Sequence, residues 1–269
     1  MWRRIPDDAG RSLPLAAPPQ RIVSLVPSVT ELVCHLGASD RLVGATRFCT
    51  DPADLPPSLV RVGGTKTPAC ESILALQPDL VVLNSEENRR EDFDALVAAG
   101  VPVFVSFTTT VAGAADAVAR LGAALGTDAP AAVLADAIRT TRAAVVGDVA
   151  TRWRVFCPIW RRPWMSFNRD TYCHDLLDCA GGDNVCAAAV ERYPSVELPS
   201  VAAAAPQIIL LPDEPYPFAE RHRRHLGELA ATPALRDDRL YLLDGKALSW
   251  YGPRTPAALR TIAGLIAGS

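Results

Sequence analysis

Short β-branched runs alternate with helix-forming segments along most of the chain, and this alternation limits the fold more than any other feature. The stretches Arg21–Pro27, Leu80–Leu83 and Val101–Phe107 each have the composition of a buried strand and lie next to a helix-forming segment. Strands that alternate with helices indicate βα units built on a parallel sheet. In such sheets, ligands bind beyond the carboxyl ends of the strands. We therefore expect an α/β chain whose binding residues lie in the loops that follow strands.

An alanine-rich region between residues 111 and 149 interrupts the alternation. It contains no predicted strand and only one clear break, at "GTDAP". A connection of roughly 35 helical residues is unusual, because most connections are short. Two interpretations remain open. The region is either a peripheral helix pair on one domain or a rigid helical spine that joins two lobes.

The βα pattern restarts after this region, and "QPDLVVLN" and "APQIILLP" occupy matching places in the two halves. The predicted fold class is α/β, with two Rossmann-like lobes that have central parallel sheets, are joined by a long rigid helix and have a cleft between them. The predicted domains are a Pro-rich lead-in (1–20), an N-terminal α/β lobe (21–110), a helical spine (111–149) and a C-terminal α/β lobe (150–269).

Composition excludes several classes of protein. The 269 residues are 49% hydrophobic and 21% charged with a net charge of −3, so we expect an ordered globular protein and no nucleic-acid partner. No apolar stretch reaches about 18 residues, so no direct membrane insertion is expected. The N-terminal segment "SLPLAAPP" is too short and proline-rich for a secretion signal. The sequence as written predicts a cytoplasmic location, or a periplasmic one if its start site is misassigned.

The sequence contains none of the common disulfide, zinc-binding or catalytic motifs. Seven cysteines are scattered without a CxxC pair, which favours reduced thiols over a disulfide framework. The spacing of cysteines and histidines matches no standard zinc site, so we predict no metal ligands. There is no G-x-S-x-G, no P-loop and no G-x-G-x-x-G, so we predict no catalytic residues and a protein that is not an enzyme.

The segment "LSWYGPRTP" (248–256) supplies the first candidate binding residues. Trp250 and Tyr251 each offer a large apolar face with a polar tip, and Arg254 offers a planar donor for an anion or an aromatic face. The segment lies between a predicted strand and a terminal helix, for which Thr255 is the predicted cap and Pro256 the first residue. The alternative is that this loop packs its aromatic rings onto the helix beneath it.

Further candidates lie in other loops that follow predicted strands. The segment "CPIWRRPWMSFNRDTY" combines aromatic rings with arginines, and it either binds a flat or anionic ligand or forms a hydrophobic lip. Acidic residues after the strand Leu80–Leu83 either recognise a ligand or cap a helix. The predicted ligand-binding residues are Arg47, Phe48, Lys66, Glu87, Trp160, Arg162, Trp164, Tyr193, Trp250, Tyr251 and Arg254.

Four segments in order resemble a known family: "RIVSLVPSVTELVCHLGASDRLVGAT", "VGGTKTPACESILALQPDLVV", "DLLDCAGGDNV" and "LYLLDGKALSWYGPRTP". They are similar to class III substrate-binding proteins with a helical backbone, a superfamily that includes the vitamin B12 and iron–siderophore receptors of ABC importers. The chain resembles most the cobalamin-binding "helical backbone metal receptor" proteins. This resemblance implies a cobalamin-like ligand or a siderophore-type metal chelate in the cleft, and no covalent cofactor.

The resemblance also implies an ABC permease as partner, contacted by one glutamate on each lobe. Glu71 falls on the first of these positions. The second position holds Pro199, and Glu197 lies two residues earlier. Two other hypotheses stay open at this point: a cytosolic cofactor carrier or enzyme on the same fold, and an interaction protein that has lost the ligand.

Overall fold

The computed structural model describes residues 2–268 and divides them into two compact units. The first unit comprises residues up to 108 together with 113–137, and the second comprises 109–112 and the residues from 138 onwards. Each unit has its own hydrophobic core. No helix between residues 2 and 268 has the length and apolar character needed to cross a membrane.

The first unit begins with a hairpin and continues as alternating strands and helices. Its elements are β1 (Arg3–Pro6), β2 (Ser12–Leu15), β3 (Ile22–Ser24), α1 (Pro27–His35), β4 (Leu42–Ala45), β5 (Val60–Arg61), α2 (Cys70–Ala75), β6 (Leu80–Asn84), α3 (Arg90–Ala98) and β7 (Val103–Ser106). Five strands form a parallel sheet in the order β5-β4-β3-β6-β7. Every residue of β3, β6 and β7 is buried, which explains their continuous apolar sequences.

The alanine-rich region forms two helices, α4 (Val111–Leu125) and α5 (Asp128–Gly147). The break falls at Gly126, whose φ of 73° is in the left-handed region that favours glycine. The prediction of a strand-free helical region with one break is therefore confirmed. The two helices approach closely at Gly122, where an added Cβ would lie 2.1 Å from the Cβ of Ala131.

This close approach predicts that Gly122→Ala destabilises the protein. The new methyl group overlaps Ala131, so the helices must separate, and overpacking of this kind costs about 1–3 kcal/mol. Gly147→Ala is the matched control, because no atom lies within 4 Å of its added Cβ. Urea unfolding of both variants measures the difference. Equal stability of the two variants would contradict the close contact.

The predicted Pro-rich lead-in contains the antiparallel hairpin of β1 and β2, which is attached to the first unit. The backbone nitrogen of Asp8 donates to the Val105 carbonyl at 3.0 Å. The buried carboxylate of Asp8 accepts from the Phe107 nitrogen at 2.9 Å and from Nε of Arg120 on α4 at 2.6 Å. The hairpin is therefore held by β7 and α4, whose positions in the sequence are far from it.

The second unit repeats the strand order of the first. Its elements are β8 (Trp153–Phe156), β9 (Trp160–Arg161), β10 (Trp164–Met165), α6 (Tyr172–Cys179), β11 (Gly182–Asn184), α7 (Leu198–Ala203), β12 (Ile208–Pro212), α8 (Pro233–Arg236), β13 (Leu240–Leu243), α9 (Gly245–Ser249) and α10 (Thr255–Ala267). Four parallel strands form a sheet in the order β11-β8-β12-β13, which matches β4-β3-β6-β7. The repeated phrases "QPDLVVLN" and "APQIILLP" contain β6 and β12, which hold the same position in the two sheets. The predicted fold class, two α/β units on parallel sheets, is confirmed.

Candidate functional site

The loops after β4, β5 and β6 bring four predicted binding residues to one edge of the first unit. We call Arg47, Phe48, Lys66 and Glu87 the first-unit surface. The nitrogen of Arg47 donates to the Gly63 carbonyl at 2.9 Å, and its guanidinium carbon lies 4.7 Å from the centre of the Phe48 ring. The Phe48 side chain is 52% exposed, so a large aromatic face is open to a ligand.

One buried side chain, Asn88, ties these loops together. Its amide nitrogen donates to the carbonyls of Thr65 (2.9 Å) and Leu25 (3.3 Å), and its oxygen accepts from the Asn84 nitrogen at 2.9 Å. Nζ of Lys66 donates to the Glu86 carbonyl and adds a second link. The loops after β3, β5 and β6 are therefore fixed relative to each other, and Asn88 holds the surface in shape.

Glu87 contributes the carboxyl group of the first-unit surface. The protein atoms that surround it raise its pKa above the ordinary value, and the Lys66 ammonium group opposes this shift. Glu87 does not cap the helix that follows it. The N-cap of α3 is Arg89, which makes no side-chain cap bond. The surface thus combines two cations with a carboxyl group whose pKa is raised.

In the second unit, the segments after β8 and β12 form an aromatic cluster. Trp164 stacks on Phe218 with ring centres 5.9 Å apart and planes inclined by 5°, and Trp160 meets Tyr216 edge to face at 5.5 Å. Tyr216 also contacts Phe218 at 4.6 Å. We call Trp160, Trp164, Tyr216 and Phe218 the second-unit surface. Trp160 is 42% exposed, whereas Phe218 is buried and supports the others.

Two members of this cluster, Tyr216 and Phe218, are not among the residues predicted from the sequence. The sequence signal is "EPYPF", in which aromatic residues alternate with prolines directly after a buried strand. The other two members, Trp160 and Trp164, are predicted candidates. Arg162 lies in the turn between them and is exposed.

Two histidines, His222 and His225, extend the cluster, and their surroundings lower their pKa values. Nδ1 of His222 accepts from the Ala219 nitrogen at 2.9 Å, which leaves the proton on Nε2, 3.5 Å from the hydroxyl of Tyr216. Desolvation lowers the pKa of both His222 and His225, and neighbouring arginines lower these pKa values further. Neither imidazole therefore brings positive charge to the surface at neutral pH.

The loop that follows α9 places its aromatic rings in the packed interior. Trp250 and Tyr251 are only 8% and 6% exposed. The Tyr251 ring packs edge to face on Tyr172, and the Trp250 ring centre lies 5.1 Å from Nζ of Lys246 and 5.2 Å from the guanidinium carbon of Arg254. Arg254 keeps partial exposure and lies 3.5 Å from Asp244. Of the three candidates in this loop, Arg254 offers the most accessible group, and the ligand roles of all three stay predictions.

The predicted start of the terminal helix is wrong in detail. Thr255 is the first residue of α10 and Pro256 the second, and the N-cap is Arg254. The hydroxyl of Thr255 accepts from the Gly252 nitrogen at 3.0 Å and bonds the Tyr172 hydroxyl at 2.8 Å. It therefore stabilises the preceding loop and not the helix end.

Tyr193 lies on the segment that joins β11 to α7. Its side chain is 38% exposed, with the Arg192 guanidinium 5.8 Å from its ring centre. The same segment pairs with β10, because the Val196 nitrogen donates to the Trp164 carbonyl at 2.9 Å. Tyr193 is thus placed beside the strand that holds Trp164.

The two predicted docking glutamates lie at the starts of equivalent helices. Glu71 is the second residue of α2, and Glu197 is the N-cap of α7; both are exposed. The helices α2 and α7 lead into the equivalent strands β6 and β12. Pro199 occupies the second position of α7, so the acidic group of the second unit is displaced by two residues towards the N-terminus.

Between residues 2 and 268, no group of three or more histidine, cysteine, aspartate or glutamate side chains is placed to hold a metal ion. All seven cysteines are free thiols. Cys157 is fully buried, and this burial raises its pKa well above the ordinary value.

The chain is similar to known proteins in both sequence and structure. The sequence model of a family described as "Periplasmic binding protein" matches residues 22–247, well over half of the chain. The chain belongs to the periplasmic binding protein family. Among its relatives, this binding protein is 26% identical to a vitamin B12-binding protein of Vibrio parahaemolyticus over 252 residues, which cover 91% of this chain and 87% of the relative.

Solved structures show the same fold. A periplasmic heme-binding protein from Pseudomonas aeruginosa is 26% identical, with a TM-score of 0.79 over 93% of this chain and 94% of that one. The periplasmic vitamin B12-binding protein BtuF of Vibrio cholerae is 24% identical, with a TM-score of 0.81 over 93% of this chain and 97% of that one, and shows the fold alone.

These matches confirm the resemblance to substrate-binding proteins. They also confirm the prediction that the chain is a binding protein and not an enzyme, because the matched relatives are binding proteins. The solved relatives are named as periplasmic, so the prediction of a cytoplasmic location gains no support from them.

Proposed function

We propose that this protein is a receptor that binds a macrocyclic metal chelate, a corrinoid or a porphyrin, and delivers it to an ABC importer. The observation that carries this proposal is the aromatic second-unit surface, where Trp160 and Tyr216 meet edge to face beside β9. It lies beyond the carboxyl ends of β8 and β12, where parallel sheets bind their ligands. Relatives that bind vitamin B12 and heme support this class of ligand.

The physical basis of binding is stacking and the removal of apolar surface from water. The exposed ring of Trp160 can cover one face of a flat ligand, and its burial contributes about 1.5–3 kcal/mol. In the first-unit surface, Phe48 offers a similar face, and Arg47 beside it offers donors to ring substituents. No covalent step is needed, which agrees with the lack of catalytic motifs in the sequence.

For the partner, we infer that the exposed carboxylates of Glu71 and Glu197 contact basic residues of a permease. Their places at the starts of equivalent helices support this role. Because a permease of this kind receives its ligand outside the cytoplasmic membrane, we propose that the protein works in the periplasm. Cell fractionation with a C-terminal epitope tag tests this location, and recovery in the cytoplasm alone would contradict it.

Tryptophan fluorescence tests ligand binding directly. We expect cyanocobalamin or hemin to quench the emission, and Trp160→Ala to weaken the affinity by about tenfold or more, equivalent to about 1.4 kcal/mol per factor of ten. Trp153→Phe is the control, because it removes a tryptophan that lies under the Arg239 guanidinium at the start of β8. The proposal fails if neither compound changes the emission of the wild-type protein, and a change with a ferric hydroxamate siderophore alone would also contradict the macrocyclic ligand.

A further inference from the structure

Four arginines of the second unit gather beside the aromatic surface. Arg161 and Arg162 follow β8 on the β9 hairpin, and Arg221 and Arg224 belong to a short 3-10 helix that follows β12. Ring contacts join the two segments: Trp160, next to Arg161, lies 5.5 Å from Tyr216, and Tyr216 lies 5.4 Å from His222, next to Arg221. His222 in turn lies 6.0 Å from His225, next to Arg224. Two separate segments therefore bring positive charge to one place.

These four arginines have no acidic partner among the residues that the structure describes. Within the described residues, no carboxylate oxygen lies within 4.0 Å of any of them, and Nε of Arg224 donates only to the neutral His225 ring at 3.4 Å. Arg223, in the same 3-10 helix, shows the usual arrangement: it pairs with Glu220 at 2.9 Å and with Asp238 at 2.7 Å. The contrast within one helix shows that acids are close by but do not neutralise the other arginines.

Uncompensated like charges repel each other, and this cost is offset when an anion binds between them. The chain as a whole carries a net charge of −3, so an excess of basic residues in the chain does not explain this cluster of arginines. Guanidinium groups bind carboxylate and phosphate oxygens through paired hydrogen bonds. The aromatic contact between Trp160 and Tyr216 lies next to Arg161 in the chain and at the same surface.

We propose that Arg161, Arg162, Arg221 and Arg224 recognise an acidic group of the ligand while its ring stacks on Trp160. The inference rests on the proposed function and narrows it to ligands that combine a flat metal chelate with a carboxylate or phosphate group. A porphyrin supplies carboxylates and a corrinoid supplies the phosphate of its nucleotide loop. Both groups present anionic oxygens, which guanidinium groups bind.

Matched pairs of compounds test the inference on the wild-type protein. Hemin is compared with its dimethyl ester, and cyanocobalamin with dicyanocobinamide, which lacks the phosphate together with the ribose and base of the nucleotide loop. For the macrocycle that binds, we expect the acidic form to bind at least about tenfold more tightly than the neutral form. We expect this preference to shrink as salt is raised, because Arg162, Arg221 and Arg224 are exposed and Arg161 is half-buried.

Two double variants, R161Q/R162Q and R221Q/R224Q, locate the effect. Each should remove most of the preference for the acidic form, measured as the ratio of the two affinities. The control R90Q/R236Q lowers the net charge equally at exposed positions outside the cluster and should keep the preference.

Two negative outcomes separate a failure of this inference from a failure of the proposed receptor function. Equal binding of acidic and neutral forms, or variants that keep the full preference, overturns the role of the arginines and leaves the receptor function standing. Absence of binding to all four compounds overturns the receptor function and this inference with it.

Discussion

Replacing Asp8 by alanine is expected to destabilise the protein by about 3 kcal/mol, near the lower end for a broken buried ion pair. The side chain of Asp8 is fully buried, and its partner Arg120 keeps 32% exposure, which moderates the loss. Desolvation raises the pKa of Asp8 above its ordinary value, while the Phe107 nitrogen and Arg120 oppose that shift. Alanine removes an acceptor that connects the N-terminal hairpin to both β7 and α4.

Urea unfolding of Asp8→Ala, Arg120→Ala and the double variant measures this coupling as a double-mutant cycle. Asp94→Ala is the matched control, because Asp94 pairs with Arg90 at 2.9 Å on an exposed face of α3. An exposed pair of this kind contributes about 0.5 kcal/mol or less. A loss for Asp8→Ala as small as that for Asp94→Ala would show that the hairpin is not anchored by this carboxylate.

Gly245→Ala is expected to weaken ligand binding by at least about tenfold and to cost about 1–3 kcal/mol of stability. Gly245 follows β13, and an added Cβ would lie 2.5 Å from both the backbone nitrogen and the carbonyl oxygen of Glu214, which follows β12. The Gly245 nitrogen also donates to the Asp213 carboxylate at 2.8 Å. Backbone atoms cannot rotate away, so the loops after β12 and β13 must separate.

That separation moves the segment that contains Tyr216 and Phe218, and so the second-unit surface. Gly227→Ala is the control in the same unit, since no atom lies within 4 Å of its added Cβ. Fluorescence titration and thermal unfolding compare the two variants. Wild-type affinity in Gly245→Ala would mean that the loops after β12 and β13 do not shape the ligand surface.

The sequence predicts well those elements whose residues are all buried or all helical. The strands β6 and β7 and the helices α4 and α5 are read correctly because their apolar or alanine-rich runs suit only one structure. The candidates Arg47, Phe48, Lys66 and Glu87 come together because parallel strands end at one edge.

The remaining features depend on contacts between residues far apart in the sequence, and these contacts cannot be predicted from local patterns. The hairpin in the predicted lead-in depends on Asp8 meeting Arg120, 112 residues later, and no local pattern reveals that pair. Trp250 and Tyr251 sit in a polar, Gly- and Pro-rich loop that reads as exposed, yet Tyr172 and Lys246 cover their rings. Tyr216 and Phe218 lie among prolines, and only the partner rings Trp160 and Trp164 show that they form a surface.

The two separate hydrophobic cores have a practical consequence. One core contains Leu25, Leu83 and Val105, and the other contains Phe156 and Leu211. We expect the two cores to unfold as separate cooperative blocks, and the chain to melt in two calorimetric steps. A compound that binds one block raises the midpoint of that step alone. A scanning calorimeter can therefore assign each compound to its unit.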